Sequence, residues 1–366
     1  MIDAQRHFDE YRALSDRLAA IDPGDSTGWI EQSYAHSSLG TLALQRGDIR
    51  RAAAAFARSV QLKARALAHN PGDLDLAADL ADSLSWQAET EKRQGRLGAA
   101  ATLYEKEYAL AKRLHDALPG NAVWTNNLAT ALSHRAAMAR VAGKDQLAAT
   151  HLEQAEVLLR AIVRDDPTNR AWQRNLYVAR LELLDLHKQR TDPSRSLALL
   201  AAARHDLAAL AALEPAWVNV QLLLVKVQKT ESYINFRFFS PAAASRDIIL
   251  AVEKLEQLHA RIPDDGSISL SLADAWLLAA AIRASVHDTA GAAQACGKVI
   301  QLLAPRVDGS ADYHVLAPWA RAHACLGRAG PAAAAVRMLE RIDYRERSYL
   351  EDLSTHSQRK QTHERQ

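Results

Sequence analysis

Asp22-Pro23-Gly24-Asp25, Asn70-Pro71-Gly72-Asp73, Leu118-Pro119-Gly120-Asn121 and Asp166-Pro167-Thr168-Asn169 are four versions of one signal. Pro215 and Pro263 extend the series, so six prolines stand 48 residues apart in constant register. Proline after a polar residue ends a helix, and the Asp, Asn, Ser or Thr that follows accepts from the free N–H groups of the next one. Twenty-four residues after three of these prolines comes a glycine, at Gly47, Gly95 and Gly143. A glycine there suits a left-handed residue closing a helix, which divides each period into two helices of about 20 residues.

The same register sorts side chains by size. Five positions past the glycine slot stand Ala52, Ala100, Ala148, Ser196, Ala244 and Ala292, all small, as close helix–helix approach demands. One helical turn further come Phe56, Tyr104, Leu152, Leu200, Ile248 and Cys296, a row of large or apolar residues on the same face. Trp29, Trp124 and Trp172 follow their prolines by five or six positions and read as packing anchors for the first helix of each period.

Composition narrows the function classes. The chain has 366 residues, 48% of them hydrophobic but only 6% aromatic, and a formal net charge of +2 with acids and bases interspersed. No basic footprint for nucleic acid and no polybasic membrane patch appears. The start, MIDAQRHFDEYRAL, has no apolar core of a signal peptide, and the longest apolar runs, such as Ala275 to Ile282, fall far short of a membrane span. These features predict a soluble, cytoplasmic protein, or a periplasmic one if the chain is a piece of a membrane-anchored parent. Two cysteines, Cys296 and Cys325, predict no disulfide framework; each reads as a small buried residue, and a redox pair requires their helices to face each other.

Catalytic motifs are absent from the sequence. There is no phosphate-cradling glycine loop, no His-Glu-x-x-His, no nucleophile elbow and no kinase signature set. Arg204-His205-Asp206 has the wrong order for a kinase catalytic loop. None of the fourteen histidines pairs with another at the i, i+4 spacing of a helical metal site. The expectation is a protein that is not an enzyme and has neither cofactor nor metal.

The run Leu39-Gly40, Gly47-Asp48, Ala52, Phe56 and Ser59 resembles the tetratricopeptide repeat (TPR) motif at its usual spacing. Gly95, Ala100, Tyr104 and Gly143, Ala148, Leu152 repeat it in part. The likeness weakens from the fourth period, where Thr191 stands for the glycine and Leu184 for the small residue. It returns in Ala324-Cys325-Leu326-Gly327-Arg328-Ala329-Gly330-Pro331. Such long-period units resemble helical arrays found C-terminal to bacterial serine/threonine kinases and transcriptional regulators, and the ending Ile342-Asp343-Tyr344-Arg345 with Tyr349-Leu350 is similar to their tails.

The resemblance implies an all-α, TPR-like α-solenoid, one right-handed superhelix of six to seven helical hairpins. The array would cover residues 1–343, with repeats starting near 23, 71, 119, 167, 215, 263 and 311, and residues 344–366 would form a capping segment and polar tail. Counting back one period from Ala52 and Phe56 lands on Ala4 and Phe8, so the chain opens on a second helix, either a cap or the end of an array that continues upstream.

The implied function is a regulatory protein- or peptide-binding scaffold within a larger bacterial signalling protein; the alternative is a sensor whose groove changes curvature when it binds a signal peptide or small ligand. In the family the first helix of each unit lines the concave face. Its groove register picks out Asn127 and Asn175, with Asp79 one period earlier, and asparagine can pair with a peptide backbone of any sequence. It also picks out Lys92, Arg140 and Lys188 as a positive ladder suited to an acidic protein or peptide. The structural alternatives are helix capping for the asparagines and complementing the helix dipole for the basic residues.

Overall fold

The computed structural model describes residues 2–187, 192–347 and 349. Among these residues there are fifteen α-helices, one π-helical turn and no strand. Helix α1 (Ile2–Ile21) stands alone at the start, and the rest follow in pairs. These are α2 (Ser26–Gln45) with α3 (Ile49–His69) and α4 (Leu74–Arg93) with α5 (Leu97–Ala117), after which α6 (Ala122–Val141) leads through a short turn into α7 (Asp145–Asp165). Next come α8 (Arg170–His187) with α9 (Pro193–Leu213) and α10 (Val218–Ile234) with α11 (Pro241–Arg261). The last two are α12 (Gly266–Ser285) with α13 (Thr289–Val307) and α14 (Tyr313–Cys325) with α15 (Ala329–Arg341). Six of these helix pairs follow the prolines of the 48-residue series, and α14 with α15 adds a seventh without one, within the six to seven hairpins expected.

The capping signals act as read. The Asp25 carboxylate accepts from the Thr27 N–H, Asp73 from Leu76, and Asn121 from Val123 and Trp124. At the other turn of each hairpin Gly47, Gly95 and Gly143 take φ of +76°, +73° and +71°. In the sixth period His287 fills that slot at φ 63°. The fifth period solves the turn differently, with the π-helical residues Asn235–Phe239.

Both predicted rows are inside. Ala52, Ala100, Ala148, Ser196 and Ala244 are fully covered, and so are Phe56, Leu200 and Cys296. Gly40 shows why small residues are required: a Cβ there would stand 2.9 Å from the Phe56 ring. Where Leu184 replaces that small residue, the larger side chain joins the cluster around Leu181, Leu200 and Leu207. Ala100→Leu or Ala148→Leu should therefore cost about 1–3 kcal/mol by overpacking. Glu105→Ala, at a largely exposed position, should stay within about 0.5 kcal/mol. Denaturant midpoints check this, and equal effects at both kinds of position would refute the register.

The chain divides into two compact units, Met1–Met138 and Ala139–Gln366. Two helices of the second unit, α9 and α12, are long and apolar enough by composition to cross a membrane, which the sequence reading excluded on uninterrupted apolar runs. Both also serve as hairpin helices, with Leu200, Leu207 and Leu210 of α9 and Leu272, Ala275 and Ile282 of α12 buried in intramolecular clusters.

One expectation is overturned. Cys296 and Cys325 form a disulfide, with Cα atoms 6.5 Å apart. Cys296 occupies the core row of α13 as read, but α14 packs on α13 and turns Cys325 toward it. The last hairpin is short and follows no proline of the 48-residue series, so its facing was not fixed by the periodicity.

Candidate functional site

The first helices of successive hairpins carry polar side chains that reach one another one period apart. In the first unit Tyr34 of α2 donates its hydroxyl to Asp79 of α4. Beneath this pair lies Lys63 of α3, 4% exposed, with its ammonium 4.9 Å from the centre of the Tyr34 ring. It donates to the Asp79 carbonyl at 3.2 Å and to the Ser83 hydroxyl at 2.9 Å. Burial pushes the Lys63 pKa down, and the Asp79 and Asp82 charges oppose that shift. A buried ammonium with hydroxyl, carbonyl and ring partners anchors α3 to α2 and α4; it is not presented to a ligand.

In the second unit the equivalent face is a network of charges. Arg140, at the end of α6, reaches Glu182 and Asp185 of α8 and Glu346 beyond α15, the last two at 3.2 and 2.9 Å. Glu182 also accepts from Lys226 of α10, and Lys229 pairs with Asp274 of α12 at 3.1 Å. Glu182 keeps 30% of its side chain accessible, so the group is recessed without being sealed off. Burial pushes its carboxyl up, but Lys226 and Arg140 more than offset this, and it titrates below the ordinary carboxylate range. Burial would also lower the Arg140 pKa, yet its three carboxylates raise it and hold the guanidinium charged.

The residues singled out from the sequence occupy several settings. Asn127 and Asn175 are half-buried on α6 and α8, in the first and second unit respectively. Neither caps its helix, because Asn121 and Asn169 hold those positions. The Asn175 side-chain oxygen accepts from the guanidinium of Arg174, 3.1 Å from Nε. Lys92 is only 12% exposed and pairs with Glu89 of its own helix at 2.5 Å. Arg140 is committed to its three carboxylates. Lys188 lies outside the described residues.

Sequence reasoning missed Glu182, Lys226, Lys229 and Asp274. An offset three short of the period would have found Lys229 and Asp274, whereas Glu182 lies 42 residues from Arg140 and 44 from Lys226, outside that offset. Tyr34 and Asp79, Arg140 and Asp185, and Lys229 and Asp274 are each 45 residues apart, which sets one residue against a partner one helical turn earlier on the next first helix. Among the described residues no group of three or more His, Cys, Asp or Glu is gathered to hold a metal ion.

No protein-family model and no curated protein sequence matches the chain. Solved structures do resemble it. The Rap conjugation gene regulator of plasmid pLS20, in complex with a Phr peptide, is 11% identical with a TM-score of 0.51, over 89% of this chain and 76% of that one. A Rap protein complexed with Competence and Sporulation Factor is 14% identical with a TM-score of 0.52, over 93% of this chain and 82% of that one. At such identities the likeness concerns the fold, which is a TPR-like repeat array of helical hairpins.

Proposed function

We propose that this chain is a protein- or peptide-binding scaffold with a regulatory role in a bacterial signalling system, and that it carries out no catalytic step. The observation that carries the reading is the first-helix face, where polar and charged side chains of successive hairpins stand partly exposed. That is the surface on which an extended segment can make main-chain and charge contacts at once. Support comes from the two similar Rap structures, each of which was solved as a complex. Asn127 and Asn175 are the proposed main-chain contacts; Lys92, Arg140 and Lys188 set the preference for an acidic segment. The sensor reading has one observation in its favour: Arg140 joins α6 to residues after α15, a contact that a change of curvature would break.

The proposed compartment depends on redox state. Disulfides persist in oxidising surroundings, so Cys296–Cys325 favours the periplasmic setting over the cytoplasmic one.

The test is selection of a random-peptide display library on the full chain, followed by Asn127→Ala/Asn175→Ala. Enriched peptides should bind the double variant at least tenfold more weakly, with unchanged circular dichroism and melting temperature. A library that yields no binder refutes the scaffold reading. Lower stability with unchanged binding makes the asparagines structural and removes them from the site.

A further inference from the structure

Units of a repeat array ordinarily touch only their neighbours, yet residues 344–346 reach back across four hairpins. They leave α15 at a turn where Asp343 takes φ 60°, run without helical structure, and meet the end of α6 in the same unit. The contacts that hold them include the following. The Arg345 backbone N–H donates to the Val141 carbonyl at 2.7 Å. Arg140 donates to Glu346 at 2.9 Å. Tyr344 is buried against Tyr313 of α14, ring centres 4.7 Å apart and planes inclined by 23°, and its hydroxyl donates to the other oxygen of Glu346. Alongside, a Cβ at Gly143 would stand 2.8 Å from the Arg345 carbonyl oxygen, so the backbone lies directly on the α6–α7 turn.

A main-chain hydrogen bond, an arginine–carboxylate pair and an aromatic stack are the means by which a binding surface holds an extended foreign segment. None of them depends on the segment belonging to this chain. Arg140 keeps Glu182 and Asp185 as partners on α8 whether or not Glu346 is present, so the surface stays built when its occupant leaves.

We propose that Arg140, the Val141 carbonyl and Tyr313 form a recognition surface for an extended segment with an aromatic residue and a carboxylate two positions later, and that Tyr344–Glu346 is its internal occupant, which the partner displaces. The residue between the two anchors cannot be proline, because its N–H is used. This deepens the scaffold reading and rests on it: it names the partner motif and makes binding competitive with the chain's own tail.

The experiment uses a fluorescein-labelled peptide of sequence IDYRERSY, residues 342–349, and fluorescence anisotropy with the full chain. Tyr344→Ala/Glu346→Ala, which vacates the surface, should bind the peptide at least tenfold more tightly than the unaltered chain. Peptides with Gln in place of the Glu, or Pro in place of the first Arg, should lose that gain. Should the double variant lose helical content, Glu346→Gln alone carries the test, since it keeps the tyrosine packing and removes the charge. A folded variant that takes up the peptide no better than the unaltered chain overturns the inference. If library peptides still bind the chain in that case, the scaffold reading stands without this motif; if none binds, both fail.

Discussion

Arg140→Ala is expected to cost roughly 3 kcal/mol of unfolding free energy, at the lower end of the about 3–5 kcal/mol seen when one member of a buried ion pair is removed. The lower end applies because the guanidinium keeps 21% of its side-chain surface accessible, so water screens part of the loss. The variant leaves Glu182, Asp185 and Glu346 recessed without their shared cation. Amide exchange should rise at the end of α6, along α8 and at residues 344–346, while α2 to α4 keep their protection. Acid gives the sign check. Glu182 and Asp274 have folded-state pKa values below their unfolded ones. The stability they contribute is present above the unfolded values and lost as pH falls through the folded ones. The gap between the unaltered chain and Arg140→Ala should therefore be widest near neutrality and close as pH falls through the carboxylate range. A gap independent of pH would show that Arg140 acts through packing alone.

Reduction of Cys296–Cys325 is the second large effect. The bond closes a loop of sequence separation 29, for which chain entropy gives about 3–4 kcal/mol. Cys296 has no exposed surface but Cys325 is half-buried, so reductant approaches the bond from the Cys325 side, and reduction of the native chain should be slower than that of a fully exposed disulfide. Denaturant curves with and without dithiothreitol, incubated to completion, should differ by that amount in the transition reporting α12 to α14. Cys296→Ala/Cys325→Ala should show no response to reductant. Coincident curves for the oxidised and reduced chain would mean that the helices hold this region without the bond.

The hairpins were legible because each requires breakers at both ends, and breakers are sequence-local. Pro71 with Asp73, and Gly95 with the small Ala100 behind it, fix where helices stop and which face is crowded before any tertiary contact is considered. Trp29 and Phe56 followed from the same register. The site was less legible, because its chemistry depends on which helices meet. Arg140 has an exposed-looking context in sequence, and two of its three partners come from α8 one period on, the third from 206 residues away. Lys92 and Arg140 of the +21 register stand in the last turns of their first helices, but nothing local told an outward lysine from an inward arginine. Glu346 was read as part of a capping tail for a related reason: its partner Arg140 lies four hairpins earlier, outside any window over which periodicity operates. Cys325 escaped because the last hairpin abandons the spacing that placed Cys296.

The disulfide also has a consequence under tension. Hairpins held chiefly by their neighbours peel away one after another when the ends of such a chain are pulled apart. The bond between α13 and α14 ties off the stretch between its cysteines, 29 positions apart. At about 3.3–3.6 Å of extended chain per residue, roughly 100 Å of slack is withheld for as long as the sulfurs stay joined. Stretched in an oxidising medium, the molecule would yield in steps up to that stapled joint and then stop short; in a reducing one it would run out to its full length.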